Sequence, residues 1–344
     1  LVKVGPSFAL QNESGTGPFT VTHREHGVKM VMTRFADYWD KDSPGNVDEI
    51  VLTPIKEDAT RVAALLSGDV DFISPVPPQD FKRLEDDPNV NLFTYPGGRI
   101  ITVQLNQKRR TEFQKVEVRQ AIVHAINNEG IVKAIMKGTA TVAGQQGPKG
   151  YAGYNEALKP RYDLEKAKAL MKEAGLENGF ECTMIAPNNR YVNDEKIAEA
   201  VVSMLAKINI KVNLKTMPKA QYWDEFDAQV ADIQMIGWHS DTEDSGNFTE
   251  FLGMCPNKET GYGQYNSGNY CNPKIDELTL GAQVETDLDK RAEILKEIEK
   301  ILYDDAAFVP FHWQNHSYGA KQGIDAAPIL NTMNFPYFGD LVIN

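Results

Sequence analysis

The stretch from Phe180 to Leu214 constrains the fold most, because its apolar period changes twice within a short distance. Phe180-Glu-Cys-Thr-Met-Ile-Ala186 places Phe180, Cys182 and Met184 at alternating positions, the period of a strand. From about Asn193 to Ile208 the apolar residues Ile197, Val201, Met204, Leu205 and Ile208 recur at helical spacing. Ile210-Lys-Val-Asn-Leu214 then returns to alternation. A strand, a helix long enough to cross over and a second strand predict a βαβ unit with parallel strands. A helix carrying Tyr222, Trp223 and Phe226 leads to a further strand over 232–238. The expected class is therefore α/β, with a mostly parallel sheet covered by helices.

In open α/β sheets, ligands bind in the crevice beyond the carboxyl ends of the strands. Arg190 follows the strand that ends near Ala186, and Asp241 follows Ile233-Gln-Met-Ile-Gly-Trp238. Both charges fall at the same sheet edge. A guanidinium meets a carboxylate through two parallel hydrogen bonds, and an Asp carboxylate accepts from a protonated amine. One fixed cation and one fixed anion suit a small zwitterion, and a two-residue peptide spans about 7 Å at roughly 3.5 Å per residue. Bland readings stand beside these. Arg190 reads equally as a surface loop charge. Asp241 reads as an Asx turn or helix cap, because Thr242-Glu-Asp-Ser-Gly246 follows, and Asp244 competes for its role. Trp238 suits a core aromatic as well as a pocket wall.

The flanking regions read as a second body. Residues 1–98 are β-rich, with a hairpin turn at His26-Gly27, a strand near Asp48–Thr53 and a short helix expected to be capped by Asp58 and stopped by Gly68. The tail from Phe308 to Asn344 returns to β character and is expected to rejoin that first segment. In between, Asp163 is placed to cap a helix that Gly175 ends. Asp287 to Leu302 reads as a helix with Ile294, Leu295, Ile298, Ile301 and Leu302 inward and its Lys and Glu residues solvated. The start, Leu1-Val-Lys-Val-Gly-Pro6, lacks the features of a secretory signal and reads as a processed or truncated product. The formal charge of −12 argues against nucleic acid, whose binding relies on Lys and Arg at phosphates.

Three cysteines occur, Cys182, Cys255 and Cys271. Cys182 alternates with Phe180 and Met184 and reads as a buried small hydrophobe. Cys255 and Cys271 flank a loop rich in Gly, Asn and Tyr, and read either as a disulfide or as two unpaired thiols. His312 and His316 lie four apart, but in an extended run that separation is about 13 Å, too far to share a metal ion. No Gly-x-Ser-x-Gly, His-Glu-x-x-His or phosphate-binding glycine loop occurs.

Five runs, in this order, resemble the extracellular solute-binding proteins of family 5, the dipeptide- and oligopeptide-binding group of ABC transporters. They are Gly15-Thr-Gly-Pro-Phe19 followed by Asp37-Tyr-Trp39, Asp58-Ala-Thr-Arg-Val-Ala-Ala-Leu-Leu-Ser-Gly-Asp-Val-Asp71, Val116-Glu-Val-Arg-Gln-Ala-Ile-Val-His-Ala-Ile126, Tyr162-Asp-Leu-Glu-Lys-Ala-Lys-Ala-Leu-Met-Lys-Glu-Ala-Gly175 and the Gly237-Trp238 step. The resemblance implies a periplasmic-binding-protein type II-like fold, two lobes with mixed β-sheets joined by a hinge. It implies residues 1–98 plus 315–344 as a partial first lobe and 99–314 as the large ligand-binding lobe. It implies Arg190 on the ligand carboxylate, Asp241 on the α-amino group, Gly237 and Trp238 at the pocket, and a Cys255–Cys271 disulfide. The implied partners are a small peptide and the permease subunits of an ABC importer. The protein itself is expected to be a periplasmic monomer with no enzymatic activity, cofactor or metal. Longer relatives carry additional sequence before the Gly-Thr-Gly-Pro motif. The alternatives are a non-peptide solute, such as an opine, a glutathione-like tripeptide, a nickel chelate or haem, and, from a different class, a peptide hydrolase.

Overall fold

The computed structural model describes residues 13–344. The chain packs as two units: one runs to Tyr95 and resumes at His316–Asn344, and the other is Pro96–Asn315. In the first, β1 (Phe19–Glu25) and β2 (Lys29–Arg34) form an antiparallel hairpin turning at Gly27, whose φ of 74° suits glycine. β3 (Glu49–Leu52) pairs with the other edge of β2. The helix Asp58–Ser67 stops at Gly68 as expected, but Asp58 does not cap it. Glu57 occupies that position without a side-chain bond, and Asp58 lies one residue inside, 2.5 Å from Arg61. β4 (Phe72–Ile73) pairs with Gly319 and Ala320, so this part of the tail does rejoin the first segment.

β5 (Val90–Leu105) carries the chain into the second unit, which holds β6 (Ala140–Val142), β7 (Phe180–Pro187), β8 (Ile210–Met217) and β9 (Ile233–Trp238). β10 (Val309–Lys321) carries it back to the paired β11 (Ile324–Asp325) and β12 (Val342–Ile343). The strand order in the second unit is β6-β10-β5-β9-β7-β8. β7 is parallel to both β8 and β9, as the βαβ pattern predicts. The parallel character stops there: β5 runs antiparallel to β9, and β6 antiparallel to β10. Only the β7–β8–β9 stretch is built from strand–helix–strand crossovers, which are what impose a common direction.

Alternation assigns the two faces. Ile101, Val103 and Leu105, with Cys182, Met184, Ile210, Val212, Ile233 and Met235, pack against helices Val116–Ala125, Leu164–Glu173 and Asp194–Leu205. Ile185, Met217 and Ile236 face the other way, onto Tyr222, Phe226, Leu295, Ile298 and Leu302. Each such side chain contributes about 1.5–3 kcal/mol when fully buried. Asp163 caps its helix by accepting the Lys166 N–H at 3.0 Å, and Asp287 caps the helix Leu288–Asp304 by accepting from Asp289 and Lys290. Cys255 and Cys271 are joined in a disulfide. Cys182 is buried, and burial pushes its thiol up to about 12.

One residue of the helix Leu288–Asp304 departs from the expected solvated face. Glu299 is 1% exposed, and its carboxylate accepts the N–H groups of Gln146 at 3.2 Å and Gly147 at 3.1 Å. Burial pushes this acid up to about 7, against the pull of the two hydrogen bonds. An acid whose folded pKa is raised adds stability that is complete below its unfolded value and lost as pH climbs through the folded one. Wild type should therefore lose on the order of 3 kcal/mol relative to Glu299→Gln between about pH 4.5 and about pH 7. Buried His312, pushed down to about 4, gives the opposite slope in both proteins and cancels from the difference. Urea unfolding of the pair across that range measures it, and a pH-independent difference would contradict the assignment.

Candidate functional site

The loop after β7 is held by one buried acid. Asp194 is 2% exposed, and its oxygens accept the N–H groups of Arg190 at 2.8 Å, Tyr191 at 2.9 Å and Glu195 at 3.0 Å. Burial pushes its carboxyl up, and those backbone donors draw it partly back. The fixed loop directs the Tyr191 ring under the sheet edge, where its hydroxyl accepts the Gly237 N–H at 2.8 Å. A Cβ at position 237 would lie 2.7 Å from the Tyr191 ring and 2.8 Å from Ile101. Glycine is required there because an aromatic ring occupies the side-chain space. Arg190 lies with its guanidinium carbon 4.9 Å from the Tyr191 ring centroid, and its Nε is buried without a hydrogen-bond partner. That is an expensive way to leave a guanidinium nitrogen unless a ligand completes it.

The last two residues of β9 face opposite ways. Gly237 turns toward Tyr191. Trp238 turns the other way, stacks near Phe251 and Tyr265 at 5.1 and 5.0 Å, and donates its ring N–H to Asn247 at 2.8 Å. The competition between the two acids is resolved by their partners. Asp244 is 8% exposed, accepts the Gly246 N–H at 2.8 Å and pairs with Arg291 at 3.1 Å, so its charge is spent within the fold. The Asp241 side chain is 69% exposed and lies 2.9 Å from Nε2 of His239.

Two further cations join this edge, and neither was singled out in the sequence. β5 and β9 pair Ile101 with Gly237 and Ile100 with Trp238, so the next residue, Arg99, continues β5 just past the end of β9. Arg99 shares the strand face of Ile101, the face that meets Tyr191. Burial, and then the Arg190 guanidinium, hold Arg99 below the usual arginine range, while Asp241 acts to raise it. Lys219 begins the helix Lys219–Asp227, and its backbone N–H donates to Asn189 at 2.8 Å. Its ammonium is lowered by burial and then by Arg190 and Arg99. Arg99 stands in Gly97-Gly-Arg-Ile-Ile101, an arginine at the mouth of an apolar run. Only the antiparallel register of β5 on β9 reveals where it lies.

The arrangement is a cation-rich cluster at a sheet edge, with Asp241 as its exposed acid. The family description bacterial extracellular solute-binding proteins, family 5 Middle, matches residues 3–260, and the chain belongs to that family. It is 29% identical over 311 residues to the dipeptide-binding protein of Escherichia coli (strain K12), a match covering 89% of this chain and 57% of the relative. Among solved structures, it resembles the ABC transporter-associated periplasmic binding protein DppA from Helicobacter pylori in complex with the peptide STSA. That match has a TM-score of 0.83 and 26% identity, and covers 95% of this chain and 62% of the other. It also resembles the binding protein AgaA from A. tumefacien in complex with agropinic acid, with a TM-score of 0.81 and 28% identity over 97% of this chain and 68% of that one. The chain thus spans little more than half the length of the curated relative. Its fold is that of the periplasmic binding proteins.

Gly237→Ala should destabilise the protein by about 1–3 kcal/mol, because the added methyl must displace the Tyr191 ring or Ile101. Tyr191→Phe, which removes the hydroxyl that accepts the Gly237 N–H and donates to the Gly237 carbonyl, should cost about 1 kcal/mol. Chemical denaturation measures both. Wild-type stability in Gly237→Ala would mean that the ring is not seated there.

Proposed function

We propose that this chain is the ligand-binding portion of the substrate-binding component of a peptide ABC importer, acting in the periplasm as a monomer. It binds a short peptide reversibly, performs no chemistry on it and releases it to the membrane permease. Residues 99–314 serve as the ligand-binding lobe. The Arg190 guanidinium takes the peptide carboxylate, and Asp241 takes the protonated amine. Gly237 seats the ring beneath Arg190, while Trp238 stiffens the opposite side of the same strand end.

The observation that carries this reading is the buried, unpartnered Nε of Arg190 at the carboxyl end of β7, with an exposed carboxylate at the end of the neighbouring β9. Family membership and the peptide-bound relative support it. The anchors differ in burial, and their substitution should differ in cost. Arg190→Ala should weaken dipeptide binding by at least about thirtyfold, since a ligand carboxylate would be desolvated with no partner. Asp241→Asn should weaken it by about tenfold, and blocking the peptide amine by acetylation should produce the same loss in wild type. Titration calorimetry reads all three. Unchanged dipeptide affinity in both variants would remove the peptide reading in favour of a non-peptide solute.

A further inference from the structure

We propose that this site selects small ligands carrying one more negative than positive charge, and that Arg99 is the residue that reads the additional carboxylate. The proposal rests on the reading of Arg190 and Asp241 as ligand anchors and names the ligand class they serve.

Three cationic residues stand at this sheet edge: Arg190 over the Tyr191 ring, Lys219 with its backbone tied to Asn189 of the same loop, and Arg99 on β5, the strand paired with β9. Two carboxylates are near. Asp194 has its oxygens taken by three backbone N–H groups, and Asp241 is already beside His239. Neither Arg99 nor Arg190 takes part in an ion pair among the described residues. A plain zwitterion would occupy Arg190 and Asp241 and leave Arg99 and Lys219 facing each other's charge. A ligand with a second carboxylate would neutralise that surplus.

Geometry gives Arg99 the role rather than Lys219. Arg99 and Ile101 share a face of β5, Ile101 and the Tyr191 ring close over Gly237, and the Arg190 guanidinium lies over that same ring. Arg99 is thus on the side of the sheet that meets the Tyr191 ring, the ring over which Arg190 lies. Each guanidinium offers a planar fork matched to a carboxylate, and an anion between them relieves their mutual repulsion. A peptide with an acidic side chain next to its terminal carboxylate carries two such anionic groups close together.

The test compares Ala-Glu with Ala-Gln, which have nearly the same shape and differ by one charge, by titration calorimetry of the full chain at low ionic strength. Wild type should bind Ala-Glu at least about tenfold more tightly. In Arg99→Gln that ratio should fall to near one, and in Arg99→Lys a clear preference should remain. Equal affinities for both peptides in wild type would overturn the charge selectivity while leaving the peptide reading intact. An undiminished preference in folded Arg99→Gln would overturn the role of Arg99. No binding of either peptide by wild type would overturn the peptide reading, and this inference with it.

Discussion

The hydroxyl of Tyr191 accepts the N–H of Gly237 at 2.8 Å, and through that bond the loop after β7 is fastened to the end of β9. The ring also touches Ile101 across the glycine, which ties in β5. Asp194 holds the other side of the same loop through three backbone donors. Arg190 thus stands on a support reaching three strands, with its guanidinium set over the Tyr191 ring. Preorganisation of this kind lowers the entropy cost of binding.

Electrostatics at this edge run against the chain as a whole. The protein carries a formal charge of −12, yet Arg99, Arg190 and Lys219 gather at one strand end with Asp241 as the exposed acid. Asp244, close in sequence, is excluded because Arg291 and the Gly246 N–H already occupy it. Such a patch attracts anionic solutes locally while the remaining surface repels polyanions. His312 and His316, four apart in sequence, lie in β10, the extended run expected of them. There His316 is bound to the Thr332 carbonyl and His312 is buried and held neutral.

The strand–helix–strand unit from Phe180 to Met217 was legible because each period there has one structural meaning, and the structure places β7, its helix and β8 where the pattern puts them. Direction was legible only where a crossover helix dictates it. The antiparallel pairing of β5 with β9 joins segments far apart in sequence, and no local pattern encodes it. Arg99 was missed for that reason. Glu299 was misread because the other Lys and Glu residues of its helix are not buried, and the backbone that takes its carboxylate, at Gln146 and Gly147, lies far along the chain. The disulfide was one of two open readings until the fold brought Cys255 and Cys271 together.

The central claim is that a ligand's anionic end completes the hydrogen bonding of Arg190 while its amine meets Asp241. A crystal structure of this chain with a bound dipeptide tests it most directly. The account predicts a carboxylate oxygen within hydrogen-bonding distance of the Arg190 guanidinium, the buried Nε included, and the peptide nitrogen beside Asp241. A dipeptide bound elsewhere, or lying in this site with its ends reversed, would contradict it.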